Sequence, residues 1–139
     1  MTDKLLRFLQ ERFGIGEEVF KGFKFIQRGD DVWIMSEDIP DNLKNINRAG
    51  LRFARGVSRN IKITTAVIQL FGRYATKNVV NIPEEHLGDF LAGRDIIVGK
   101  LEGVERGQVI VKFGEDVLGL GLYDGEKIKN QIPKARRIV

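Results

Sequence analysis

The sequence predicts an α+β fold in two parts: a small N-terminal α/β unit over residues 1–78, followed by a partly closed β-barrel over residues 79–139. Three observations predict it. The first fourteen residues carry an apolar period near the helical one and close on a glycine. Residues 23–36 form two alternating runs joined at Gly29-Asp30-Asp31, a hairpin signal. Beyond Asn78, one short helical pattern and several short β-rich runs are separated by glycine turns, as in a small barrel.

In chain order, DKLLRFLQERFG brings Leu5, Leu6, Leu9 and Phe13 to one helical face, and Gly14 suits the left-handed position after the helix. The hairpin offers Phe23, Phe25, Val32 and Ile34 to a core. DIPDNLKNINRAG reads as a short helical turn ending near Gly50. In LRFARGV, Leu51, Phe53 and Ala54 alternate imperfectly with Arg52 and Arg55, which fits a strand with a cationic face. IKITTAVIQLFGRYA passes from strand to helix. Thr64 or Thr65 caps it, and Val67, Leu70, Phe71 and Tyr74 recur at helical spacing, which makes Tyr74 a core residue.

VVNIP is a strand stopped by Pro83, and EEHLGDFLAG a helix with two acids in its first turn. DIIVGKLEG, GQVIVKFG and DVLGLGLYDG are the barrel strands, and QIPKARRIV is expected to return as a terminal strand. These 61 residues are few for an independent core, so the barrel is expected to pack firmly on the first unit.

With 42% hydrophobic and 30% charged residues the chain reads as globular, not disordered. Its apolar runs fall short of the roughly 20 residues that span a bilayer. Met1 to Phe8 lacks the apolar segment of a signal peptide, and a cytoplasmic location without membrane contact is the expectation. The absence of cysteine removes disulfides, zinc-thiolate sites and thiol nucleophiles together. His86, the only histidine, sits beside Glu85 in a helical first turn, where a surface or capping role fits better than general-base chemistry. No full Rossmann or P-loop pattern follows Gly14-Ile15-Gly16 or Gly119-Leu120-Gly121. No catalytic residue, cofactor or metal is expected.

The net charge of +4 hides a segregation. No acid occurs between Asp41 and Glu84, and the last thirteen residues hold five basic side chains without an acid. Two cationic blocks of this kind raise a local potential suited to nucleic acid. In the first block Arg48, Arg52, Arg55, Arg59 and Lys62 are the candidate phosphate contacts, with Arg55 and Arg59 on one strand face and Lys62 reachable after the turn. A charged strand edge that resists aggregation, or a patch that docks a protein, are the alternatives. Trp33 and Tyr74 are the aromatic groups able to stack a base.

The segment FLAGRDIIVGKLEGVERGQVIVKFGEDVLGLG resembles a PUA domain: Leu91, Gly93, Asp95, Ile96 and Ile97 match the first part of its pattern, Gly107, Val109 and Val111 the second, and Leu118, Gly119 and Gly121 the third. DDVWIMSEDI, AGLRFAR and IKITTAVIQLFGRYATKNVVNIPEE are similar to the pre-PUA unit of Nip-seven-type ribosome-biogenesis proteins, and a related tail ends some Sun-type RNA 5-methylcytosine methyltransferases. The resemblance implies a pre-PUA unit over 1–78 and a PUA-like barrel over 79–139. It also implies RNA contact at Gly93 and Arg94, where the family usually has a small residue at the latter, with Lys127, Lys129, Lys134, Arg136 and Arg137 on the same side.

Those methyltransferases attack their base with cysteine, which this chain lacks, so only their RNA-binding tail is comparable. The expected function is non-catalytic RNA binding in ribosomal RNA processing, modification or ribosome biogenesis. The expected RNA is rRNA or tRNA, and the expected protein partner is an RNA methyltransferase to which the chain delivers that RNA in trans. The alternative is an adaptor whose basic patch holds a ribosome-assembly protein.

Overall fold

The computed structural model describes residues 2–40 and 50–137, so Arg48 and the helical turn expected before Gly50 lie outside the described residues. The fold is α+β, with three helices and two sheets among the described residues, the second sheet curled into a partial barrel.

Helix α1 (Thr2–Phe13) buries Leu5, Leu9 and Phe13, and Gly14 ends it at φ 66°, a conformation glycine adopts without Cβ strain. A single 3-10 turn (Glu17–Phe20) leads to the antiparallel strands β1 (Phe23–Arg28) and β2 (Asp31–Ser36). Strands β3 (Leu51–Arg55) and β4 (Lys62–Ile63) complete the first sheet, in the order β1-β2-β3-β4. Phe20 meets Phe25, Phe53 and Phe71 with ring centroids 5.0–5.6 Å apart, the tilted and edge-on geometry aromatic rings prefer.

Between Val32 and Trp33 the pairing register of β2 and β3 shifts, leaving Phe53 as the extra residue of a bulge. The imperfect alternation in the sequence is this bulge. Phe53 and Ala54 both turn inward, and Arg52 and Arg55 both stay exposed.

Helix α2 (Thr65–Phe71) buries Val67, Ile68 and Phe71. Three expectations fail here. Thr64 stands at the cap position, but its hydroxyl donates to the Arg52 carbonyl at 2.6 Å rather than capping the helix. The helix closes into a 3-10 turn at Gly72, so the helical period breaks and Tyr74 is 44% exposed, with Arg73 stacked on its ring. Phe23, at the start of β1, is also exposed and reaches only the rim of Phe71.

The second sheet takes β5 (Val79–Asn81), β6 (Ile96–Ile97), β7 (Gly107–Phe113), β8 (Asp116–Tyr123) and β9 (Lys127–Asn130) in the order β5-β7-β8-β9-β6. Helix α3 (Glu84–Leu91) precedes β6. Strand β5 runs parallel to β7 and the other pairs are antiparallel. The last strand is Lys127–Asn130, not QIPKARRIV: Pro133 offers no amide to a ladder, and a 3-10 turn follows at Lys134–Arg136.

Both faces of β7 are buried, which explains its unbroken apolar run. Val109 and Val111 point into the barrel with Phe90, Ile96 and Ile128, while Ile110 joins Leu120 of β8 in the core of α1, α2 and the first sheet. One strand pair thus walls two cores. Polar groups tie the same joint. Asn78, in the left-handed region at φ 54°, donates to the Arg12 carbonyl at 2.6 Å and accepts from the Glu105 amide at 2.8 Å. The Arg12 guanidinium donates to the Gln108 and Glu105 carbonyls, each at 2.9 Å.

Candidate nucleic-acid interface

Where the first sheet meets β7, β8 and the C-terminal segment, a groove of about 310 Å³ opens to solvent. Trp33, Arg52, Arg55 and Lys62 line one side of it, and Gln131, Pro133 and Arg136 the other. The two cationic blocks of the sequence converge here.

The first side follows from strand register. Trp33 pairs with Arg52, and Arg55 with Lys62, so all four side chains share the sheet face opposite Phe53, Ala54 and Ile63. Strict alternation would have sent Arg52 and Arg55 to opposite faces; the bulge at Phe53 restores them to one. The Arg52 guanidinium lies 5.6 Å from the Trp33 ring centroid, a cation–π distance, and 3.7 Å from the Asp31 carboxylate. Arg55 and Lys62 stand opposite each other, and neither has a carboxylate within 4 Å among the described residues.

The floor is polar and fixed. Gln108, 7% exposed, accepts from the Ile63 amide at 3.0 Å and donates to the Ile63 carbonyl at 3.1 Å. It also donates to Gln131 Oε1 at 3.0 Å. That bond holds the Gln131 amide with its own Nε2 donors unspent among the described residues. Arg136 is aimed by its bond to Gln69 Oε1 at 2.8 Å, from α2.

A second basic site surrounds the turn between α3 and β6. Gly93 adopts φ 91°, and the Arg137 side chain lies directly on it, where any Cβ would collide. Arg137 Nε donates to the Ile132 carbonyl at 3.1 Å, which anchors the arginine there. Arg94 is exposed and pairs with Asp89 at 2.9 Å. Asn130 of β9 staples the turn: its side-chain amide donates to the Phe90 and Arg94 carbonyls at 2.8 and 3.0 Å, and its backbone amide donates to Asp95.

The candidates therefore separate. Arg52, Arg55, Lys62 and Arg136 meet in the groove. Gly93, Arg94 and Arg137 meet at the α3–β6 turn. Lys127 and Lys129 lie on the outer face of β9, opposite Ile97 and Leu122, and Lys134 is exposed in the last 3-10 turn. Arg59 does not share a strand face with Arg55. It sits in the loop after Gly56, where its charge acts on the Asp30 carboxylate. Gln108, Gln131 and Asn130 escaped the sequence reading because a lone amide carries no pattern; only their tertiary partners reveal them. The Arg137 side chain covers the Gly93 backbone, so a group approaching this turn meets the arginine first.

A third surface is apolar. Phe23, Leu51, Leu70 and Tyr74, each at least 41% exposed, frame a cleft of about 610 Å³ beside Arg73.

Comparison with known proteins bears on the second half through a family model and on nearly the whole chain through curated relatives. Residues 77–138 match the family model described as the PUA domain of methyltransferase RsmF. The chain is 26% identical over 136 residues to ribosomal RNA small subunit methyltransferase F of Aeromonas salmonicida, covering 96% of this chain and 27% of that protein. It is 30% identical over 110 residues to the protein of the same name from Shewanella oneidensis, covering 77% and 23%. The chain thus spans about a quarter of the length of the curated relatives it matches. These matches support the PUA-like reading of residues 77–138, and the likeness to a methyltransferase tail is the branch they favour.

Proposed function

We propose that this chain binds RNA in the modification of ribosomal RNA, and that it does so without chemistry of its own. The observation that carries the reading is the meeting of Arg52, Arg55 and Lys62 with Arg136 in one groove beside Trp33, on a chain whose residues 77–138 match a PUA domain. Among the described residues Arg55, Lys62 and Arg136 have no carboxylate partner, and cations held together in this way neutralise phosphates and release counterions, which makes binding salt-dependent. The α3–β6 turn with Arg94 and Arg137 supplies a second contact at the position where PUA domains meet RNA. Residues 1–78 and 79–139 act as the two halves of one RNA-binding surface.

The names of the relatives support a finer version, in which the bound RNA belongs to the small ribosomal subunit and is presented to a methyltransferase. Filter binding of small-subunit rRNA fragments across a salt series tests the reading. Affinity above that for a random RNA, with a log–log slope of about −0.7 for each phosphate engaged, is expected. Background affinity with no slope would overturn it.

A second reading makes the chain an adaptor for a protein of ribosome assembly. The exposed apolar cleft of Phe23, Leu51, Leu70 and Tyr74 favours it, since such surfaces mark protein contacts. Charge reversal at Arg52 and Arg55 separates the two: RNA binding falls under the first reading and is untouched under the second.

A further inference from the structure

We propose that the groove between the two sheets is a site for a single unpaired RNA nucleotide, its base stacked on Trp33 and its flanking phosphates held by Arg55, Lys62 and Arg136. The proposal rests on the RNA-binding reading and adds the conformation of RNA that the site accepts.

Four features point to an unpaired nucleotide. At about 310 Å³ the groove has the size of a small-ligand site, room for a base and its sugar and too little for a duplex to enter. Trp33 is half-buried at the rim beside the planar Arg52 guanidinium, and aromatic rings and guanidinium planes are the protein groups on which splayed bases stack. Arg55 and Lys62 face each other as like charges, an arrangement that opposes folding and becomes favourable once an anion lies between them. The wall carries a directed donor: Gln108 fixes Gln131 through its oxygen, so the Gln131 amide nitrogen is left to donate to a carbonyl on a base edge.

An A-form helix offers phosphates but no free base to stack on Trp33 or to reach Gln131, because its bases are stacked and its readable groove displays sugar hydroxyls and shallow base edges. The groove also draws its two sides from Trp33 with residues 52–66 and from residues 108–136, so it is distinct from the α3–β6 turn around Gly93.

Trp33 is the only tryptophan of the chain, so tryptophan emission excited at the red edge, beyond tyrosine absorption, reports the groove alone. The full chain is titrated with a single-stranded oligouridylate, with a blunt RNA duplex, and with polyglutamate, and total RNA binding is followed in parallel by filter retention. The single strand is expected to quench Trp33 with saturation. The duplex is expected to bind without quenching. Trp33→Ala is expected to lower single-strand affinity roughly 5- to 160-fold, the range that base stacking supplies, with duplex affinity unchanged. Lys62→Gln should weaken the single strand while melting at the parent temperature or above. Equal quenching by duplex, quenching by polyglutamate alone, or RNA retention with no change in Trp33 emission would each overturn the proposal, and the last would leave the RNA-binding reading standing. Loss of all RNA retention would instead remove both.

Discussion

Gln108 of β7 closes both backbone groups of Ile63 of β4, accepting from its amide at 3.0 Å and donating to its carbonyl at 3.1 Å. A side-chain amide here extends one sheet onto the other where no strand could pair. Gln108→Ala strands two buried backbone groups. It is expected to cost about 1–3 kcal/mol, measured by chemical denaturation. Stability within error of the parent would show that water replaces the amide, and that the groove floor is not fixed by Gln108.

Arg55 and Lys62 oppose each other across β3 and β4, so function and stability should part company there. Arg55→Glu converts a like-charge pair into an attractive one and is expected to stabilise the fold by about 0.2–1 kcal/mol. The same change should weaken RNA binding several-fold. Thermal melting and filter binding on one preparation check both signs. A variant less stable and equally competent for RNA would remove Arg55 from the interface.

Gly93→Ala tests the α3–β6 turn. At φ 91° a side chain is strained by on the order of 1–2 kcal/mol, and the new methyl group must displace Arg137 from its seat. A lower melting temperature together with weaker RNA binding is expected. Lowered stability with unchanged RNA affinity would mean that Arg137 is structural only.

Acid should weaken the fold through two turn carboxylates. Hydrogen bonds from Ser58, its side chain first and then its backbone amide, hold Asp30 below the ordinary value of 3.8. The Lys127 and then the Glu126 backbone amides do the same for Asp124. A depressed carboxylate contributes stability above its unfolded value and loses it as pH falls through the folded one. Melting temperature should therefore be insensitive to these groups above pH 3.8 and fall below it. Asp124→Asn should show a shallower fall. A steeper one would reverse the assigned sign.

Much of this surface was legible in the chain before folding, and the limits are physical. The hairpin at Gly29-Asp30 and the helix ending at Gly14 follow local chemistry, so sequence pattern suffices for them. The convergence of Arg136 with Arg55 and Lys62 depends on strand order and on a bulge, neither of which has a local signal. Helical spacing continues through Tyr74 in the sequence, but the 3-10 turn at Gly72 breaks it and leaves the ring exposed. Asn130, Gln108 and Gln131 act through partners more than 20 residues away. The PUA pattern was readable because its glycines are set by packing: a Cβ on Gly121 would meet Ile128 and stand 3.0 Å from the Lys129 carbonyl.

The most direct measurement is an amide chemical-shift map of the full chain, titrated with a small-subunit rRNA fragment that contains an unpaired loop. Perturbations are expected along Trp33, Arg52–Arg55, Lys62 and Gln131–Arg137, with a second cluster at Gly93 and Arg94. Shifts confined to Phe23, Leu51, Leu70 and Tyr74, or none at saturating RNA, would contradict an RNA-binding groove between the two sheets.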